Sequence, residues 1–150
     1  MDKKKLVLFV VALSVLAALT ASCETTEEPA IEDYVWEMAV VLKNGEAAYV
    51  IEDDAESYPD AETASWLLSA ENGILTLKDL SRDRELKGGY SPTSVFGKKE
   101  KIYNVDLFYE GEEFASVSHT VYADGTERPT LIVSLPGTSG YAAYFYPLSE

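Results

Sequence analysis

From about residue 34 onward, apolar and polar residues alternate over short spans separated by turn-forming pairs. That pattern predicts β-strands joined by tight turns. In residues 34–52, "YVWEMAVVLKNGEAAYVIE", Asn44-Gly45 suits a two-residue hairpin, because both residues tolerate positive φ. The turn predicts Lys43 opposite Glu46, Leu42 opposite Ala47, Val40 opposite Tyr49 and Met38 opposite Ile51, with Trp36 continuing the same side. The other side carries Ala39, Val41, Ala48 and Val50. Both faces are therefore apolar, and the hairpin is expected to lie between packed layers or to line a covered barrel.

A second hairpin is predicted in "ASWLLSAENGILTLKDL" around Asn72-Gly73, with Trp66 and Leu68 alternating before the turn and Ile74, Leu75 and Leu77 after it. A helix over residues 61–70, capped by Asp60 and stopped near Gly73, is the competing reading; the strand reading is preferred. Further on, a strand is expected in "KIYNVDLFYEG", and Asp124-Gly125 predicts another tight turn. That turn puts Tyr122 against Glu127, Ser118 against Leu131, Ser116 against Val133 and Phe114 against Leu135 on the expected core side. His119 opposite Thr130, Val121 opposite Arg128 and Val117 opposite Ile132 then share the other side. Pro136-Gly137 and Gly140 mark a last turn before a tyrosine-rich strand over residues 141–146. The whole predicts an all-β domain, a single small antiparallel β-barrel or β-sandwich of about seven hairpin-linked strands. The early Trp and the run of hairpins resemble a lipocalin barrel. The family's Gly-x-Trp signature would need glycine where Tyr34 stands, so the resemblance implies shape and assigns no functional residue.

The first 23 residues follow a different pattern: Lys3, Lys4 and Lys5, then sixteen apolar or small residues over 6–21, then Ser22 and Cys23. This is the layout of a secretory signal helix. At ~1.5 Å per residue the apolar run reaches roughly 24 Å, short of the ~30 Å that a permanent span must cross. Leu19, Thr20, Ala21, Ser22 and Cys23 resemble the lipobox of bacterial lipoproteins, with the leucine one place earlier than usual. The resemblance implies cleavage after residue 22 and diacylglycerol on Cys23, the chain's single cysteine. It also implies a lipid-anchored protein of the cell envelope. Glu24 in place of the aspartate that retains many lipoproteins at the inner membrane points to the outer membrane where the cell has one. Residues 24–33, "ETTEEPAIED", are acidic and low in large apolar groups, so residues 23–33 are expected to form a solvated tether and residues 34–150 the domain.

Loss of residues 1–22 removes Asp2 and three lysines from totals of 26 acids and 12 bases. That leaves 25 and 9, a formal charge of −16. Such a surface repels nucleic acid and anionic lipid, so membrane attachment is assigned to the lipid on Cys23.

Routes to catalysis are few. There is one histidine, and its neighbour Ser118 points to the opposite face of a strand, so the two cannot act as nucleophile and base. No phosphate-binding loop or cofactor motif is present, and the expectation is a non-catalytic protein. Residues 52–62, "EDDAESYPDAE", hold six acids without the spacing of an EF-hand, and read as a solvated loop. Residues 82–101 gather six of the nine mature basic residues against three acids. Arg82, Arg84, Lys87, Lys98, Lys99 and Lys101 are therefore candidates for contacting an anionic ligand or partner, against the plainer reading that they neutralise acidic neighbours. Trp36 and Tyr49 are candidates for lining a ligand cavity. The expected role is binding of a small apolar or aromatic molecule; the alternative is a cavity-free module contacting another envelope protein or a glycan.

Overall fold

The computed structural model describes residues 28–93, 100–109, 111–135 and 140–149. The expected signal helix, Cys23 and the first part of the tether lie outside the described residues, as do Lys98 and Lys99. Ten strands are described: β1 (Trp36–Lys43), β2 (Glu46–Val50), β3 (Glu62–Thr63), β4 (Trp66–Glu71), β5 (Ile74–Asp79), β6 (Arg84–Pro92), β7 (Glu100–Asp106), β8 (Glu113–Val121), β9 (Glu127–Leu135) and β10 (Tyr141–Pro147). Strands β4 to β10 follow one another around a sheet that closes through β1, which pairs with β4 on one side and β10 on the other. The result is an antiparallel barrel of eight strands. β2 and the two-residue β3 are appended, with β3 parallel to β2. The all-β expectation holds, resolved to a barrel with more strands than the seven anticipated.

Local turn chemistry sets the hairpins. Asn44 and Gly45 have φ of 52° and 86°, and Asn72 and Gly73 of 50° and 80°, the doubly positive pair that matches strand twist. Around Asn72-Gly73 the ladder runs unbroken from Glu71 opposite Ile74 to Trp66 opposite Asp79, so residues 66–71 are strand rather than helix.

Two registers differ from expectation. In the first hairpin Lys43 faces Glu46 and Leu42 faces Ala47, but Val41 then faces Tyr49 and Val40 faces Val50. Ala48 is extra on β2, and a second irregularity at Ala39 shifts β1 against β10. A bulge inverts side-chain direction beyond it, so Trp36, Met38 and Val41 line the interior, in place of Trp36, Met38 and Val40. In the β8–β9 hairpin the ladder begins with Val121 opposite Glu127, one step from the expected register. Leu131 and Val133 face the core as anticipated. On β8, however, Ala115 and Val117 are buried while Phe114 is exposed, because a one-residue slip exchanges the two faces. His119 lies opposite Pro129 instead of Thr130.

A further difference is β6, a strand within the basic stretch 82–101 where none was anticipated. It has only Gly88 buried and carries no apolar alternation to announce it; its backbone ladders to β5 and β7 hold it. Gly88 is required there: a Cβ would overlap the Asp106 carbonyl and lie 2.8 Å from Leu107 Cα.

The base of the barrel is plugged by a short 3-10 turn, Ile31–Asp33, ahead of β1. Ile31 is fully buried. Its N–H donates to Tyr103 Oη at 3.2 Å, and its carbonyl accepts the Trp36 indole N–H at 2.8 Å. Ala30 N–H donates to Asp33 Oδ2 at 2.8 Å and closes the turn. Residues 30–33 are thereby tied to the folded core, whereas residues 24–33 were expected to be solvated. Above this plug the interior is filled by Leu68, Leu75, Leu77, Val105, Leu107, Val117, Leu131, Val133 and Phe145, each large side chain contributing roughly 1.5–3 kcal/mol by burial.

Candidate binding cleft

At the end of the barrel opposite the Ile31 plug, the interior is not filled. β1 pairs with β4 only through Trp36 and Glu37, and from Val40 onward it pairs with β2. β2 and β4 diverge, and the wall splits where they part. Tyr49 on β2 and Trp66 on β4 stand across the split with ring centres 5.7 Å apart. Val41, Leu135, Tyr141 and Ala143 form the floor and far wall, and Phe108 from the β7–β8 loop closes one side. The cleft measures about 200 Å³ and is lined mainly by apolar atoms. Ala143 on β10 is the small residue that leaves the space. An eight-stranded barrel is wide enough to be filled by side chains or to hold one small ligand; here the base is filled and the mouth is open.

The rim is held by buried polar contacts. Glu113 is buried at the start of β8, and its carboxylate accepts the N–H of Leu107 at 2.7 Å and of Phe108 at 2.8 Å. Phe108 is thereby positioned over the cleft. Tyr109, with φ of 60°, turns outward, and its hydroxyl donates to the Lys87 carbonyl at 2.8 Å. On the other side, Asp79 accepts the backbone N–H groups of Ser81 and Arg82 at 3.1 Å each and fixes the β5–β6 turn. Arg82 then reaches Asp79 at 3.3 Å and Glu62 at 3.0 Å, with its guanidinium carbon 5.8 Å from the centre of the Tyr49 ring.

The structure divides the candidates singled out from sequence. Tyr49 lines the cleft. Trp36 is fully buried at the base, bonded to Ile31, and serves the plug. The basic stretch is split: Arg82 and Arg84 flank Asp79, Lys87 pairs with Glu85 at 3.0 Å, and Lys101 is half-buried on β7 opposite Val117. For Arg82, Arg84 and Lys87 the geometry is that of neutralising nearby acids. The acidic stretch after β2 contains a short exposed 3-10 turn, Glu52–Asp54, and among the described residues no three His, Cys, Asp or Glu side chains are grouped to hold a metal ion.

Sequence reasoning missed Trp66, Phe108 and Tyr141 as partners of Tyr49. Trp66 carried a signal, an aromatic at the head of a predicted strand; nothing local joined it to Tyr49, 17 positions earlier. Its indole N–H is buried without a hydrogen-bond partner among the described residues, an uncommon condition for a buried donor. No described helix is long and apolar enough to cross a membrane. Comparison with protein-family models, with curated proteins and with solved structures found no match for this chain.

Proposed function

We propose that this chain is an exported, lipid-anchored envelope protein whose barrel holds a small apolar or aromatic molecule in the cleft at its mouth, without catalysing a reaction. The observation that carries the reading is the cleft itself, an aromatic-walled apolar space at the mouth of a barrel whose core is built of large buried apolar side chains. Its volume of about 200 Å³ is below the ~300–1,000 Å³ of sites for drug-sized ligands and somewhat above the ~150 Å³ of a cavity that accepts benzene. A ligand built on a single ring fits that scale.

The lipid anchor on Cys23 rests on the resemblance of residues 19–23 to a lipobox. The fold gives it a geometric consequence. The chain enters at the plugged base, and the cleft opens beyond the other end of β1, roughly 20 Å away at ~3.3 Å per strand residue. A lipid on Cys23 would then present the cleft away from the membrane. The alternative, an interaction module using the basic stretch, has less support, since Arg82, Arg84 and Lys87 already face acids of this chain.

Native mass spectrometry of the protein recovered from its own envelope tests the reading. A reproducible added mass on the parent that disappears in Ala143→Leu, which fills the cleft, is the expected result. An added mass retained by Ala143→Leu, or none on the parent, would refute it.

A further inference from the structure

The cleft is apolar, yet a cation stands over each of two aromatic walls. Lys43 Nζ lies 5.2 Å from the centre of the Tyr141 ring, on the strand opposite Lys43, and Arg82 stands over Tyr49. The two cations differ in how they are engaged. Arg82 is held by Glu62 and Asp79. Lys43 is exposed and makes no ion pair among the described residues; Glu46, its ladder partner across the hairpin, does not bridge to it.

From this we infer that the ligand is a compact aromatic or apolar acid, its ring seated against Tyr49, Trp66 and Phe108 and its carboxylate at Lys43. The inference rests on the cleft being a ligand site, and adds the ligand's charge. An aromatic-lined cleft in an acid-rich protein would on its own favour a cation, because ring faces attract positive charge. Here the faces of Tyr49 and Tyr141 are already taken by Arg82 and Lys43, so an incoming cation meets like charge. A neutral molecule gains at most an ion–dipole hydrogen bond from Lys43, weaker than the contact a carboxylate makes. An anion gains a charge-assisted contact with an ammonium standing at the rim that makes no ion pair among the described residues.

Isothermal titration of the full chain in lipid nanodiscs, with empty nanodiscs as blank, would compare phenylacetate, its neutral amide and the cationic phenethylamine. The parent is expected to bind phenylacetate ~1.4–5-fold tighter than the amide, the range for a solvent-exposed charge pair, with the amine weakest. Lys43→Met is expected to bring phenylacetate down to the level of the amide. Equal binding of acid and amide, a preference for the amine, or an acid preference that survives Lys43→Met would each overturn the inference while leaving the cleft as a ligand site. Binding of none of the three would overturn both.

Discussion

Replacing Ile31 by alanine separates a solvated tether from a built-in plug. If residues 31–33 were tether, the substitution would change stability by less than about 0.5 kcal/mol, as for surface positions. The structure buries Ile31 completely against Trp36 and Tyr103, and truncation of a fully buried isoleucine costs about 2–5 kcal/mol. With a urea dependence of about 2 kcal/mol per molar for a small domain, the unfolding midpoint should fall by about 1–2.5 M. A chain beginning at residue 34 should suffer more. It also loses the acceptor of the Trp36 indole N–H and the donor to Tyr103 Oη, and a buried donor left unpaired costs a further ~1–3 kcal/mol. The combined loss approaches the ~5–15 kcal/mol that holds a typical domain together. Urea titration followed by tryptophan fluorescence and circular dichroism would compare a chain starting at residue 28, the same chain with Ile31→Ala, and one starting at residue 34. A midpoint for Ile31→Ala within about 0.3 M of the parent would refute the plug.

Glu113→Gln keeps the shape of the side chain but turns an acceptor-only group into one with a donor end facing two backbone N–H groups. Charge-assisted bonds of this kind are worth about 1.5–3 kcal/mol, so the melting temperature should drop by several degrees, and single-ring probes should bind more weakly as Phe108 loses its fixed place. Gly88→Ala should destabilise markedly, because a Cβ collides with the backbone of Asp106 and Leu107, whereas Gly89→Ala, whose nearest neighbour is the Gly73 carbonyl oxygen at 4.0 Å, should be tolerated; thermal melts of the pair check this. Burial, followed by a hydrogen bond with Tyr122, pushes the Tyr146 hydroxyl up to about 12. A raised folded-state value stabilises fully below the unfolded value near 10 and is lost as pH rises through about 12. Stability should thus fall between about pH 10 and 12, Tyr146→Phe should flatten that fall, and phenolate absorbance should show Tyr146 ionising late.

The strands and their turns could be read from residues within a few places of one another. Asn44-Gly45 and Asn72-Gly73 demand positive φ at adjacent positions, a backbone requirement visible in the dipeptide, and the alternation of Leu75 and Leu77 or Leu131 and Val133 is a period of two written in the strand itself. β6 escaped notice for the converse reason: with Gly88 its only buried residue, it had no apolar face to display. Registers failed wherever the strand was not uniform. The extra residues at Ala39 and Ala48, and the longer connection around Asp124-Gly125, look in sequence like any other strand or turn residues. Each inverts the faces beyond it, and only packing of the far side decides whether that inversion is favourable. Closure is the extreme case. The pairing of Lys43 with Tyr141, the burial of Ile31 beside Tyr103 and the meeting of Tyr49 with Trp66 and Phe108 join residues 17 to 98 positions apart. No local preference encodes such contacts; they form because an eight-stranded sheet with one apolar face lowers its free energy by curling until that face is inside. The cleft is what remains where β2 leaves the wall and Ala143 is too small to fill the gap.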